Sequence, residues 1–198
     1  MNNLTPIDEF QKEAGKAFGK ELIKKIFGFL EQITVPPAKE LGGLLEDHVR
    51  FFRFKTQIKI LEKARKFMEE NNLEPQNVPI RVVAPLLDHA SWEENENMQD
   101  RWASLLTNAA SDSKSSDNFI TYVEILKQIS PQQAKFLDLL YENVTFAMKL
   151  QGRISPDYKR ASRIKDELSL TDYDFNILVD SLIRLNLVEE AISMNERL

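Results

Sequence analysis

His48 and His89 are the only two imidazoles in the chain, and each has acidic neighbours: Glu46 and Asp47 beside the first, Asp88 beside the second. An imidazole next to carboxylates is the raw material of a metal site or a general base. A metal centre, however, needs three or four converging ligands. Neither HExxH nor a pair of histidines four apart occurs. The absence of cysteine excludes disulfides, thiolate catalysis and cysteine-ligated zinc. No serine sits in a GxSxG elbow, and no glycine-rich loop is available to cradle a phosphate. Gly42-Gly43 is a bare pair inside a helical pattern and reads as close helix packing. The remaining acid chemistry lies in Asp88, Glu93, Glu94 and Asp100, which would serve a metal-dependent hydrolase or nuclease only if they converged on a divalent cation. The expectation is therefore a non-enzymatic protein with no catalytic residue, no metal site and no cofactor.

Binding chemistry is better represented. Arg50-Phe51-Phe52-Arg53-Phe54-Lys55 interleaves cations and aromatics, a pattern that can stack on and neutralise single-stranded nucleic acid. From Lys39 to Lys66 there are eight basic and four acidic residues. In a helix these side chains point in several directions, so core aromatics with arginines snorkelling to water explain them as well. Asp88, Glu93, Glu94, Glu96 and Asp100 form an acidic counterpart, and pairing of the two within one molecule is expected. In the phrase Asp100 to Leu106, Trp102 reads as a core anchor.

The elements that must carry these groups are helices. Thr5-Pro6 opens a first helix that runs to about Ile33, with apolar residues Phe18, Leu22, Ile26, Phe29 and Ile33 at helical spacing. Its other face holds Lys12, Lys16, Lys20, Lys24 and Lys25. Five lysines against three glutamates between Lys12 and Glu31 leave a net charge of +2. Phe18, Leu22, Ile26 and Phe29 are accordingly the candidates for a partner- or membrane-binding stripe; the alternative is that they pack on the protein's own core. Gly15, Gly19 and Gly28 within this segment imply either close packing or interrupted helix. After Pro36-Pro37 a long helix reaches Glu70, with Ile60, Ala64 and Phe67 on an apolar side, and Asn71-Asn72 stops it. A short helix around Ile80 to Leu87 contains Pro85, where a kink or break is expected. Ser91, with Glu94 three residues on, has the form of a capping box for the helix of Trp92, Met98 and Trp102. A polar loop, 111–118, and a short helix, 119–129, follow.

Ser130-Pro131 begins a separate unit. Phe136, Leu140, Val144 and Met148 form one stripe, and Phe175, Leu178, Leu182 and Leu185 another on a helix capped by Thr171. Leu187-Val188 reads as a short strand. This order resembles a winged helix. Lys159, Arg160, Arg163 and Lys165 would be its nucleic-acid contacts, but Asp172, Asp174 and Asp180 oppose phosphate on the helix that would enter the groove. The fold class is all-α or nearly so: an amphipathic helix at 1–35, a helical core at 36–129 and a winged-helix-like unit at 130–198.

The net charge of −5 gives no global attraction to nucleic acid or anionic lipid. No run of eighteen apolar residues spans a bilayer, and no secretory leader is evident, so the cytoplasm is the expected location, with the inner membrane face as the site of any peripheral contact.

The phrases Glu40 to Lys55 (ELGGLLEDHVRFFRFK), Val78 to Leu87 (VPIRVVAPLL), Ala90 to Ala109 (ASWEENENMQDRWASLLTNA) and Tyr122 to Ala134 (YVEILKQISPQQA) resemble the abortive infection alpha family, over roughly residues 36 to 190. The resemblance implies a bacterial or prophage protein linked to phage resistance, in a family without an assigned reaction and with no catalytic residues to carry over. The expectation that follows is a non-enzymatic defence component acting on a phage or host protein, with self-association or peripheral membrane contact as further modes. A nucleic-acid-binding winged-helix regulator is the alternative.

Overall fold

The computed structural model describes residues 12, 14–16, 19–35, 50–111, 116–142 and 158–188. Within them the chain forms two compact units, residues 1–127 and 128–198. The proposed caps Thr5 and Pro6, together with Phe18, Gly42, Gly43, His48, Val144 and Met148, lie outside the described residues.

In the first unit, α1 (Lys20–Ile33) follows a break that glycine makes possible. Gly19 has φ +89°, in the left-handed region where a side chain is strained. Its N–H donates to the carbonyl of Gly15 at 3.1 Å, ending the turn before it, and its own carbonyl accepts from Ile23 at 3.2 Å, beginning α1. The single helix expected up to Ile33 is thus interrupted here. Ile23, Ile26, Phe27, Phe29, Leu30 and Ile33 of α1 are all buried. β1 (Thr34–Val35) then pairs in parallel with β2 (Val78–Pro79), Thr34 opposite Val78 and Val35 opposite Pro79.

α2 (Arg50–Glu70) buries Phe54, Ile58, Leu61, Ala64 and Met68, spaced by three and four, and also Ile60. Phe67, expected on the apolar side, turns outward and is 45% exposed. α3 (Ile80–Ala90) continues through Pro85 as one helical segment, with Val82, Val83, Leu86, Leu87 and Ala90 buried. α4 (Glu96–Ser111) buries Met98, Trp102, Ala103 and Leu106, and α5 (Ser116–Leu126) adds Phe119 and Val123. The α2–α4 pair is the most extensive helix contact in the unit.

The start of α4 differs from the capping-box reading. Ser91 and Trp92 stay in the turn after α3, and the cap is Asn95, whose side-chain oxygen accepts from the Met98 N–H at 3.2 Å. Glu93 Oε1 in turn accepts from the Asn95 N–H at 2.9 Å.

The second unit packs α6 (Pro131–Glu142), α7 (Tyr158–Glu167) and α8 (Asp172–Arg184) around Phe136, Leu140, Ile164, Leu178 and Leu182. Phe136 and Phe175 meet edge to face, with ring centroids 5.8 Å apart. α6 opens with a reciprocal cap: Ser130 Oγ accepts from the Gln133 N–H at 3.2 Å, and Gln133 Oε1 accepts from the Ser130 N–H at 2.6 Å. Pro131 fits between them because the first helical N–H has no partner to lose. Gln133 also donates to the hydroxyl of Ser181 on α8. The expected strand at Leu187-Val188 is not formed. Leu187 closes α8 instead, and no strand occurs among the described residues of this unit.

Three helices end in the same way. Asn72, Ser169 and Asn186 have φ of 51°, 53° and 55°. The leucine after each donates its N–H back across the last turn: Leu73 to Met68 at 2.9 Å, Leu170 to Lys165 at 3.0 Å and Leu187 to Leu182 at 3.0 Å. Each leucine packs against the core of its own unit. This is a Schellman termination with its hydrophobic contact, built on asparagine or serine where glycine is commoner.

Two predictions follow from this packing. Deleting residues 1–34 removes six buried α1 side chains, so the truncated chain should lose cooperative thermal unfolding of the first unit, read by circular dichroism; a truncated chain that melts as the intact one does would show that α1 is dispensable to the core. Ser169→Gly should raise stability by roughly 0.5–1 kcal/mol in chemical denaturation, because the left-handed conformation at that position is free of strain only for glycine.

Candidate functional site: the Arg53–Trp92 surface

Arg53 stands in the first turn of α2, one turn of helix from residue 50. Its guanidinium lies over the ring of Trp92, 4.4 Å from the centroid. Its Nε donates to Ser91 Oγ at 2.8 Å, and its Nη2 pairs with the Asp88 carboxylate. Ser91 Oγ donates onward to the Asp88 carbonyl at 2.5 Å. The backbone N–H of Ser91 closes α3 on the carbonyls of Leu87 and Asp88. One arginine is thus held along its edge by a hydroxyl and a carboxylate while its face covers an indole. A planar fork with five donors can do this; a lysine cannot.

The indole remains 56% exposed while the Arg53 side chain is 14% exposed. Nearby, Gln57 Nε2 donates to the Leu87 carbonyl at 3.2 Å, fixing the same corner from within. A second link, Lys63 to Asp100 at 2.5 Å, ties α2 to α4. The basic side of α2 therefore meets acidic residues of α3 and α4 within the molecule, and Arg53 is committed to Trp92 and Asp88. Side chains of Arg50, Phe51 and Phe52 lie outside the described ones. Trp102 is a core residue, 2% exposed.

Of the four carboxylates considered for a hydrolase, three have separate partners. Asp88 serves Arg53, Asp100 serves Lys63, and Glu93 accepts from the Asn95 backbone. Among the described residues no group of three or more histidines or carboxylates is placed to hold a metal ion. His89 is half-buried in the last turn of α3.

The stripe on α1 is turned inward. Ile26 is 0% and Phe29 4% exposed, and Leu22 is half-buried against the same core. The packing alternative is the arrangement the structure adopts, and contact of these side chains with a membrane or partner would require α1 to leave the core. No helix among the described residues is long and apolar enough to cross a membrane.

Of the basic run on α7, Arg163 is exposed, whereas Lys165 is bound to Asp172 at 2.5 Å; the side chains of Lys159 and Arg160 lie outside the described ones. The bond to Lys165 and its charge hold the Asp172 carboxyl below the usual carboxylate range. On α8, Asp172, Asp174 and Asp180 are all exposed, leaving an acidic surface where a DNA-reading helix would need cations. Thr171 caps this helix, accepting from the Asp174 N–H at 3.1 Å.

The described helices of both units fall largely within residues 46–197, which match the abortive infection alpha family. The match covers most of the chain, and the protein belongs to that family. No curated protein and no solved structure matches it.

The charge complementarity of the two halves of the Arg53 surface is legible in the sequence, but the stacking of Arg53 on Trp92 is not. The signal that would have revealed it is a tryptophan beside a serine in a turn, following a helix whose last turn carries an acid.

Arg53→Ala should destabilise the first unit by about 1–3 kcal/mol, since it removes a part-buried cation with a ring contact and two hydrogen bonds. The same variant should make the Trp92 fluorescence more accessible to acrylamide while Trp102 stays protected. Lys165→Ala should return the Asp172 titration toward an ordinary carboxylate value, followed by carboxyl NMR. Because the folded pKa is lowered, the stabilisation from this pair is present above the unfolded pKa and fades as pH falls through the folded one; a wild-type Asp172 titrating at or above the ordinary value would contradict the pairing.

Proposed function

We propose that this chain is a non-enzymatic component of phage defence that acts through protein contacts, with the Trp92 surface as its principal contact point. Membership of the abortive infection alpha family links it to that process. The observation that carries the contact reading is the exposed indole held in one orientation by Arg53. Tryptophan and arginine are the side chains that most often dominate protein–protein binding energy. Holding the ring in place before the partner arrives reduces the ordering cost of binding. The target is a phage or host protein with an apolar recess for the ring and an acceptor for the flanking polar groups. The reading is supported by the separate structural partners of Asp88, Glu93 and Asp100.

Phage plating tests the reading. Cells carrying the wild-type gene should plate at least one phage of a broad panel less efficiently than cells lacking it. Trp92→Ala, which removes an exposed side chain and leaves the core intact, should restore plating while the protein accumulates normally. Unchanged plaque counts across the panel would count against a defence role. Full protection by Trp92→Ala would retain defence but remove this surface from it.

A further inference from the structure

α8 has two faces. Leu178 and Leu182 are buried in the second unit, and Phe175 and Val179 pack against the same core. At about 3.6 residues per turn, Tyr173, Ile177, Asp180 and Arg184 fall within a narrow arc on the opposite side. All four are exposed, Tyr173 by 74% and Ile177 by 50%. Two large apolar side chains one turn apart thus stand in water on a helix whose other face is already committed to a core. Tyrosine is among the side chains that concentrate binding energy at interfaces.

The order of the stripe says what fits it. Along the helix it runs aromatic, aliphatic, acid, base. Tyr173 and Arg184 bracket Ile177 and Asp180 symmetrically, so both pairs share one midpoint. A second α8 laid antiparallel about a two-fold axis through that midpoint sets each Arg184 against Tyr173 of the other copy. A guanidinium over a phenol ring is a favourable pair. Asp174, exposed beside Tyr173, adds a carboxylate within reach of the same guanidinium. The two Ile177 side chains fall on one flank of the seam and touch. The two Asp180 side chains fall on the other flank, each with Arg184 one turn further along its own helix. A parallel arrangement would instead set Arg184 beside Arg184 and Asp180 beside Asp180. A patch complementary to itself under a two-fold axis is what an isologous dimer requires.

We infer that the outward face of α8 is the seam of a reversible homodimer, in which two copies join through antiparallel α8 helices. The stripe is short, so the association is weak and depends on concentration. It involves the second unit, lies apart from the Trp92 surface and does not rest on the proposed defence role.

Sedimentation equilibrium of the full-length chain tests the association. The weight-average mass of the wild type should rise from monomer toward dimer with concentration. Tyr173→Ala and Arg184→Glu, both at exposed positions, should each weaken dimerisation about tenfold with the far-UV spectrum unchanged. Asp180→Asn should strengthen it about twofold by removing the like-charge contact. Cross-linking tests the orientation, because the chain has no cysteine of its own. In the antiparallel seam the two copies of residue 180 lie about 4–5 Å apart along the axis and those of residue 184 roughly 16 Å apart. Asp180→Cys should therefore form a disulfide-linked dimer under mild oxidation, and Arg184→Cys should not. A mixture of Tyr173→Cys and Arg184→Cys chains should link one to the other, which supplies the same comparison should Asp180→Cys disturb the fold. A wild type that stays monomeric at every concentration, dimerisation unchanged in the folded Tyr173→Ala and Arg184→Glu variants, or Arg184→Cys linking to itself as readily as Asp180→Cys would overturn the inference.

Discussion

The hydroxyl of Thr107 on α4 donates to the Ala103 carbonyl one turn back, at 2.9 Å, and reaches the Ala64 carbonyl of α2 at 3.4 Å. Ala64, Ala103 and Thr107 are all buried, and their small side chains allow the two helices to approach closely. The rest of the first unit is arranged around that approach. Leu61 and Met68 on α2, and Trp102 and Leu106 on α4, reach full or nearly full burial in the same core. α1, α3 and α5 cover what the pair leaves open. The Gln76 N–H, in the connection after α2, donates to the Ala110 carbonyl at 2.7 Å and holds that connection beside the end of α4. Arg53 and Lys63 then sit along α2 where each can meet an acid from the helices packed on it. The Trp92 surface is thus a product of the core packing as much as of its own side chains.

Helix content and several helix ends were legible because they depend on short-range chemistry. Ser130-Pro131 and Thr171 cap the helices they were expected to cap, and Asn71-Asn72 ends α2, since a side-chain oxygen or a left-handed asparagine acts within four residues of itself. The apolar spacing of Phe136 and Leu140, and of Leu178 and Leu182, carried through to a common core for the same reason. Ser91 shows where such reading stops. Its hydroxyl has the right neighbours for a local cap but is used by Arg53, 38 residues away, and Asn95 takes the cap instead. Gly19 and Gly28 look alike in sequence; one supplies a left-handed turn and the other sits in regular helix, a distinction made only by backbone angle. Strands of two residues have no periodicity to read. Of the candidate site, charge complementarity was visible and the stacking of one arginine on one indole was not, because it joins a helix start to a turn through tertiary structure.

Each unit uses its surface differently. In the first, Arg53, Lys63, Arg65 and Lys66 of α2 are each paired with a carboxylate, and Trp92 is the most exposed large apolar side chain among the described residues of this unit. In the second, the outward side of α8 carries Tyr173, 74% exposed, and Ile177, 50% exposed, among aspartates. Family membership spans helices of both units.

The pairing of Thr34 with Val78 has a consequence for how the chain is made. α1 is among the first helices to be synthesised, yet the strand its end must pair with lies 44 residues later (78 − 34). At about 5–20 residues per second, translation reaches that partner roughly 2–9 s after β1 is complete. Over that interval the apolar face of α1, from Ile23 to Ile33, has neither α3 nor α4 to cover it. The nascent chain therefore carries an uncovered apolar helix face, open to chaperones and to misassociation, through this interval.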